Sequence, residues 1–378
     1  MDFEGRLNIR LHARGGKVEA VEIRSSRPVH VSRVFVGKRV EEALSLLPLL
    51  FSVCGTAQAC AGVRACEQAL GCSPGPGTER LREALVGLET LQQHLWQLLL
   101  RWPAFLGEAP LEEAMIDARR LLDARRRQLA PDDRPFRPGQ EAGQVGGEGP
   151  AAGKAMPRLL AETLFGEPPE AWLERVTLAE LEAWAAGRRT VAARLLDQVM
   201  ARGWQGVGRS PVAPLPPLEE TQLRPAFREE TFIERPRWQG ACRETSVLTR
   251  TRSPLLQRLH DTQGNALLTR LVARLTEVAR LALESPGPGP LPVEGADEGT
   301  GIGRAEAARG RLYHQVELEG ERILCYRILA PTEWNFHPRG VVASSLRGIE
   351  GTPADLERQA RLVVDAIDPC VGYDLEIC

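Results

Sequence analysis

Apolar and polar residues alternate at the start of the chain. Leu7, Ile9 and Leu11 share one side, Gly15-Gly16 supplies a turn, and Val18, Val21 and Ile23 follow. A period of two broken by glycine predicts a β-hairpin with one buried face. The pattern returns near the other end, with Leu312 to Leu318, a turn at Glu319-Gly320-Glu321, and Ile323 to Leu329. Between the hairpins the period lengthens to that of a helix. Leu81, Leu85, Leu88, Leu91, Leu95 and Leu99 fall on one side, with Thr78 placed to cap them. Thr177-Leu178-Ala179-Glu180 reads as a capping box. Leu256, Leu259, Leu267, Leu271, Leu275 and Val278 predict one long helix from about Leu255 to Leu283. Thr352-Pro353-Ala354-Asp355 opens a last helix through Leu356, Val363 and Ile367, ending at an Asp-Pro-Cys turn.

Three stretches break the pattern: 131–153 (Gly, Pro and charge), 205–218 (Pro-rich) and 285–303 (Pro-Gly repeats, then an acidic Gly-rich run). They predict flexible insertions in a single domain spanning 1–378. The fold class expected is α+β, mostly helical, with an N-terminal and a C-terminal β-hairpin.

Composition narrows the function. The chain has 378 residues, 43% apolar and 26% charged, which suits a globular protein with a large core. Only Lys17, Lys38 and Lys154 are lysines among 48 basic residues, and the net charge is −2 with no basic block, so no nucleic-acid partner is expected. The longest apolar run, Leu44 to Val53, contains Ser45 and Pro48 and falls far short of the ~20 residues of a membrane span. No membrane association and no signal peptide are expected, which points to the cytoplasm and to eight reduced cysteines available as ligands.

Two cysteines stand in motifs. Cys54-Gly55-Thr56-Ala57 has the form of a C-G-x-C pair without its second thiol, and Asp368-Pro369-Cys370-Val371-Gly372-Tyr373 the form of D-P-C-x-x-C without its second thiol. Between them lie Glu306-Ala307-Ala308-Arg309-Gly310 and Pro331-Thr332-Glu333-Trp334-Asn335; near the start lie Glu4-Gly5-Arg6 and Phe35-Val36-Gly37-Lys38-Arg39. In this order the segments resemble the large subunit of nickel–iron hydrogenases, which reads R-I-E-G-H, R-G-F-E, C-G-x-C, E-A-P-R-G, P-T-T-W-N and D-P-C-x-x-C. The resemblance spans nearly the whole chain and implies that family's helical body.

In that family four cysteines hold nickel, and the second of each pair also bridges to an iron carrying cyanide and carbon monoxide. Soft thiolates suit both metals. The resemblance implies that Arg309 offers a charged donor to a cyanide and that Pro331 and Thr332, from the family's P-T-T-W-N strand, complete the pocket; the plainer alternative is that those two residues only end a strand. Ala308 stands where the family has proline. Ala57 and Tyr373 stand where the bridging cysteines belong, and Ala61 and Glu376 where histidines are expected, so no doubly bridged nickel–iron pair and no nickel are expected. The sequence ends at Cys378, where precursors continue with a cleaved peptide, so no such processing is expected.

Cys54 and Cys370 beside an Arg/Thr pocket resemble the HupK/HoxV group of large-subunit-like accessory proteins. This implies a non-enzymatic scaffold that transiently holds an Fe(CN)2CO unit on two thiolates before transfer to the hydrogenase large subunit, docking with maturation chaperones of the HypC and HypD type. Two other readings stay open: an active hydrogenase subunit with an altered site, and a metal-free remnant that binds partners. The scaffold requires that Cys54 and Cys370, 316 positions apart, converge with Arg309 on one cavity. Cys60 is a further candidate to replace the thiol absent at position 57. Cys66 and Cys72 read as packing, Cys242 and Cys325 as unpaired, and the six histidines show no metal spacing.

Overall fold

Gly15 and Gly16 take φ of 60° and 80°, and the chain reverses there to pair β1 (Leu7–Arg14) with β2 (Lys17–Ser25). The computed structural model describes residues 5–132, 134–140, 153–283 and 299–378, so Glu4 lies outside the described residues. Helix α1 (Val40–Leu50) follows, then α2 (Gly55–Leu70) and α3 (Pro76–Leu95). Much of the rest is helical and gathers round the helix Leu267–Leu283, whose Leu271, Val272, Leu275 and Val278 are buried in the largest core cluster. The predicted α+β, mostly helical architecture is present.

The second predicted hairpin is one part of a larger sheet. β3 (Thr300–Ala307), β4 (Gly310–Glu319) and β5 (Arg322–Leu329) form an antiparallel meander. Part of the segment expected to be flexible over 285–303 is therefore a strand; its residues 285–298 lie outside the described residues. The sequence hides β3 because its inward positions include Gly301 and Gly303 rather than large apolar side chains. A Cβ on Gly303 would lie 1.9 Å from the Ala61 carbonyl oxygen, and one on Gly301 2.0 Å from that of Ala65. The strand backbone rests directly on α2, which is possible only without side chains at the contact.

The other sheet joins the two ends of the chain. A terminal strand, β6 (Tyr373–Ile377), adds parallel to β1 with Leu7 opposite Tyr373 and Ile9 opposite Leu375. Its half-buried side, Tyr373, Leu375 and Ile377, packs against the cluster that holds Val341, Val342, Val363 and Ile367 of the preceding helices.

Four local expectations are corrected. Gly75, not Thr78, is the N-cap of α3, with Pro76 in the first turn; the Thr78 hydroxyl donates to the Gln140 carbonyl. The long helix is two helices, Pro254–Gln263 and Leu267–Leu283, parted at Gly264 with φ 68° and ψ −153°. Pro331 and Thr332 do not end a strand: β5 stops at Leu329 and they open a short helix, Pro331–Asn335. Within the predicted insertions, 134–140 docks on α3, where Arg82 Nε donates to the Pro135 carbonyl at 2.5 Å; residues 141–152 are outside the described set. Segment 205–218 has no helix, but Leu215 and Leu218 are buried. The capping box at Thr177 and the cap at Thr352 are both formed.

Candidate functional site

Cys54 is the residue at which α2 begins, and its own side chain does not cap the helix. Glu89 of α3 does so instead: its carboxylate accepts from the amides of Thr56 at 2.7 Å and Ala57 at 3.1 Å. A carboxylate at a helix N-terminus satisfies amides that would otherwise lack partners. The Cys54 thiol is left to face a cavity. Gln58, one turn on, donates to Cys54 Sγ at 3.6 Å. The Gln58 carbonyl then accepts from His314 Nε2 at 2.7 Å, so His314 Nδ1 is the acceptor for the Tyr326 hydroxyl at 2.8 Å. This chain of bonds fixes one neutral imidazole tautomer. Burial pushes the His314 pKa down to about 3.

Arg309 sits at the tip of the two-residue turn Ala308-Arg309 that joins β3 to β4. The turn is tied at several points. Arg250 donates to the carbonyls of Ala307 at 2.7 Å and Ala308 at 3.0 Å. Asn335 links it to Thr245, donating to the Thr245 carbonyl at 2.6 Å. Gly310 has φ 131°, and a Cβ there would lie 2.2 Å from the Thr245 carbonyl oxygen. The guanidinium, buried at 8% exposure, is 3.3 Å from Gln93 Oε1 and 3.5 Å from Asp368 Oδ1. Among the described residues its Nε has no hydrogen-bond partner. Burial disfavours its charge, but the neighbouring acidic groups, Asp368 first, outweigh this and raise its pKa.

Asp368 ends the helix Pro353–Ile367 in a left-handed conformation, φ 69° and ψ 90°, which Asp tolerates better than most side chains. Gln97, in a π-helical turn (Trp96–Arg101) that continues α3, donates to its Oδ1 at 2.7 Å. The turn that follows carries Cys370 to the cavity, where its Sγ lies 3.1 Å from Thr332 Oγ1.

The five residues singled out in the sequence share one cavity of about 90 Å³: Cys54, Cys370, Arg309, Pro331 and Thr332 all line it. Apolar walls come from Val31, Leu50, Phe51 and Leu312. Burial, then Cys370 and Glu89, push the Cys54 pKa up to about 12, so this thiol carries its proton at neutral pH. The positions of the absent thiols do not line the cavity. Ala57 is buried with its amide on Glu89, and the Tyr373 hydroxyl donates to Asp365 at 2.8 Å. Cys60 is fully buried in the core beneath α2 and is not part of the lining. A four-thiolate nickel site does not fit these residues. Among the described residues no group of three or more His, Cys, Asp or Glu side chains is placed to hold a metal.

Several parts of the site went unread in the sequence. Glu89, Gln93 and Gln97 sit on a leucine-striped helix and carry no motif; only the fold brings them to the cysteines. Asp368 was visible in the Asp-Pro-Cys turn but not its contact with Arg309. Arg27, also in the lining, follows β2 in a stretch with no pattern. Away from the cavity, Cys242, expected to be unpaired, has Sγ 3.3 Å from His337 Nδ1.

A family model described as nickel-dependent hydrogenase matches residues 231–372. Among similar curated proteins are the hydrogenase expression/formation proteins HupV of Azotobacter chroococcum mcd 1, HupK of Azotobacter vinelandii and HoxV of Cupriavidus necator. The first is 32% identical over 99% of this chain and 98% of its own length. The second is 31% identical over 99% and 98%, and the third 31% over 97% and 95%. Among solved structures, the nickel–iron–selenium hydrogenase of Desulfovibrio vulgaris Hildenborough superposes with a TM-score of 0.60 at 19% identity, covering 95% of this chain and 94% of that one. That of Desulfomicrobium baculatum gives 0.59 at 16%, covering 95% of each. At such identity the likeness concerns the fold. Among the described residues no helix is long and apolar enough to cross a membrane.

Proposed function

Because the chain belongs to the HupK/HupV/HoxV family of hydrogenase expression/formation proteins, a degenerate relative of the nickel–iron hydrogenase large subunit, we propose that it is an assembly scaffold and not an enzyme. Its cargo is the Fe(CN)2CO unit, held transiently between Cys54 and Cys370 and passed on to the large subunit. The observation that carries this reading is the meeting of both thiols and Arg309 on one cavity while positions 57 and 373 lie outside it.

Two thiolates satisfy only part of an iron's coordination, so a suitable cargo brings its remaining ligands with it. Cyanide and carbonyl are such ligands, and a cyanide nitrogen accepts hydrogen bonds. Arg309 is a fixed charged donor with a free Nε–H. Thr332 is bonded to the Cys370 thiol and would hold that sulfur in place. The apolar wall keeps competing water ligands out. The Cys54 thiol enters the site protonated, and metal binding would displace that proton. With only two thiolates the grip can be released, as a transfer scaffold requires. The partners in this reading are chaperones of the HypC and HypD type on the supply side and the large subunit on the delivery side.

The test is transfer. Protein isolated without oxygen from cells given iron-57 is mixed with large subunit lacking its metal centre, and iron-57 is followed by Mössbauer spectroscopy. Passage of a low-spin iron signal to the large subunit is the expected result. A scaffold that carries no low-spin iron, or keeps it all in the presence of a competent acceptor, would sink the proposal.

A further inference from the structure

Among the described residues, Arg27 is the one charged residue of the cavity lining that the family motifs do not account for. It lies just after β2, and its backbone is pinned. Gly5, at φ 71°, packs so closely that a Cβ there would come within 2.7 Å of Arg27 Cα. The neighbouring Ser26 amide donates to the Arg6 carbonyl at 3.0 Å, and the Ser26 hydroxyl accepts from the Arg6 amide at 2.9 Å. The side chain is 14% exposed, and its Nη1 donates to Glu333, whose side chain is 7% exposed. Among the described residues Nε and Nη2 have no hydrogen-bond partner. Glu333 occupies the place of a threonine in the P-T-T-W-N motif.

The cavity thus has two guanidiniums, each backed by one buried carboxylate: Arg27 by Glu333 and Arg309 by Asp368. The Thr332 hydroxyl is already committed to Cys370. We infer that Arg27 is a second ligand-contacting residue of this cavity, donating from Nε and Nη2 to a linear anionic group of the cargo, such as the nitrogen of a metal-bound cyanide. Glu333 is its positioning residue: it fixes the guanidinium from behind and leaves the other two nitrogens aimed at the ligand. The identity of the natural cargo rests on the scaffold reading. The anion site itself does not.

The experiment uses thiocyanate, a rod-shaped anion whose carbon–nitrogen stretch reports its surroundings, titrated into the purified full chain. Wild-type protein is expected to bind it saturably with a shifted stretch. Replacing the ion pair by amides, Arg27→Gln with Glu333→Gln, leaves no buried charge unpaired and should weaken binding about tenfold or more, the size expected for lost charge-assisted hydrogen bonds. Glu333→Gln alone should still bind but at a changed frequency, because Arg27 is no longer held. No saturable binding by the wild type, or equal affinity and frequency in the double variant, overturns the inference. Failure of the scaffold reading would look different: no iron-bound cyanide on protein from cells, with the thiocyanate site intact.

Discussion

His314 shows how much of the site depends on single atoms in fixed protonation states. It is fully buried between the Tyr326 hydroxyl and the Gln58 side chain, and Gln58 in turn reaches Cys54. Its pKa falls from about 6.5 in an unfolded chain to about 3 in the fold, because burial penalises the charged ring. Below pH 6.5 the unfolded state binds a proton that the folded state does not, so stability falls as pH drops from 6.5 towards 3. The slope from this residue alone is about 1.4 kcal/mol per pH unit. His337, pushed down to about 4, and His94, also lowered by burial, act in the same direction. Urea unfolding at pH 7, 6 and 5 should show this loss. His314→Gln should be less stable than wild type at pH 7 by about 1–3 kcal/mol yet lose less on acidification. An unchanged pH slope in that variant would contradict the neutral buried imidazole.

At the scale of elements, the site is set by the contact of α2 with β3. Cys54 begins the one and Arg309 follows the end of the other, so the distance between thiol and guanidinium depends on how closely the two pack. Ala61 and Ala65 on the helix meet Gly303 and Gly301 on the strand, backbone against backbone. Gly303→Ala must push them apart. It is expected to cost about 3 kcal/mol or more, since neither contacting atom is a flexible side chain. Gly87→Ala is the matched control. Gly87 lies inside α3, and a Cβ there meets only Leu281 Cδ2 at 3.5 Å, ordinary contact. It should stabilise by about 0.5–1 kcal/mol through helix propensity. Denaturant unfolding of the two variants reads both effects, and a Gly303→Ala protein as stable as wild type would contradict the packing. The same contact explains what periodicity could not disclose. β1, β2, β4, β5 and the helices capped at Thr177 and Thr352 announce themselves through large apolar side chains or polar caps. β3 is defined by side chains it lacks, and Gly264 divides a helix that its leucine stripe runs straight across.

For the whole molecule, the two ends of the sequence form one structure. β6 pairs with β1, and the cysteine motifs near both ends open on the same cavity. That convergence was legible because the motifs occur in the order of a resembled family; the five residues line one cavity although nothing local said they would meet. The supporting groups, Glu89, Gln93, Gln97 and Arg27, were illegible because each depends on a contact across the fold. In the proposed scaffold, Cys54 and Cys370 hold an iron bearing cyanide and carbonyl. Infrared spectroscopy tests it most directly, since those stretches fall where protein does not absorb. Protein purified without oxygen from cells that make a nickel–iron hydrogenase should show cyanide and carbonyl bands. Cys54→Ala or Cys370→Ala should weaken them severely, and the double variant should lack them. Full bands in the double variant, or none in a wild-type protein from cells that supply the unit, would contradict the account.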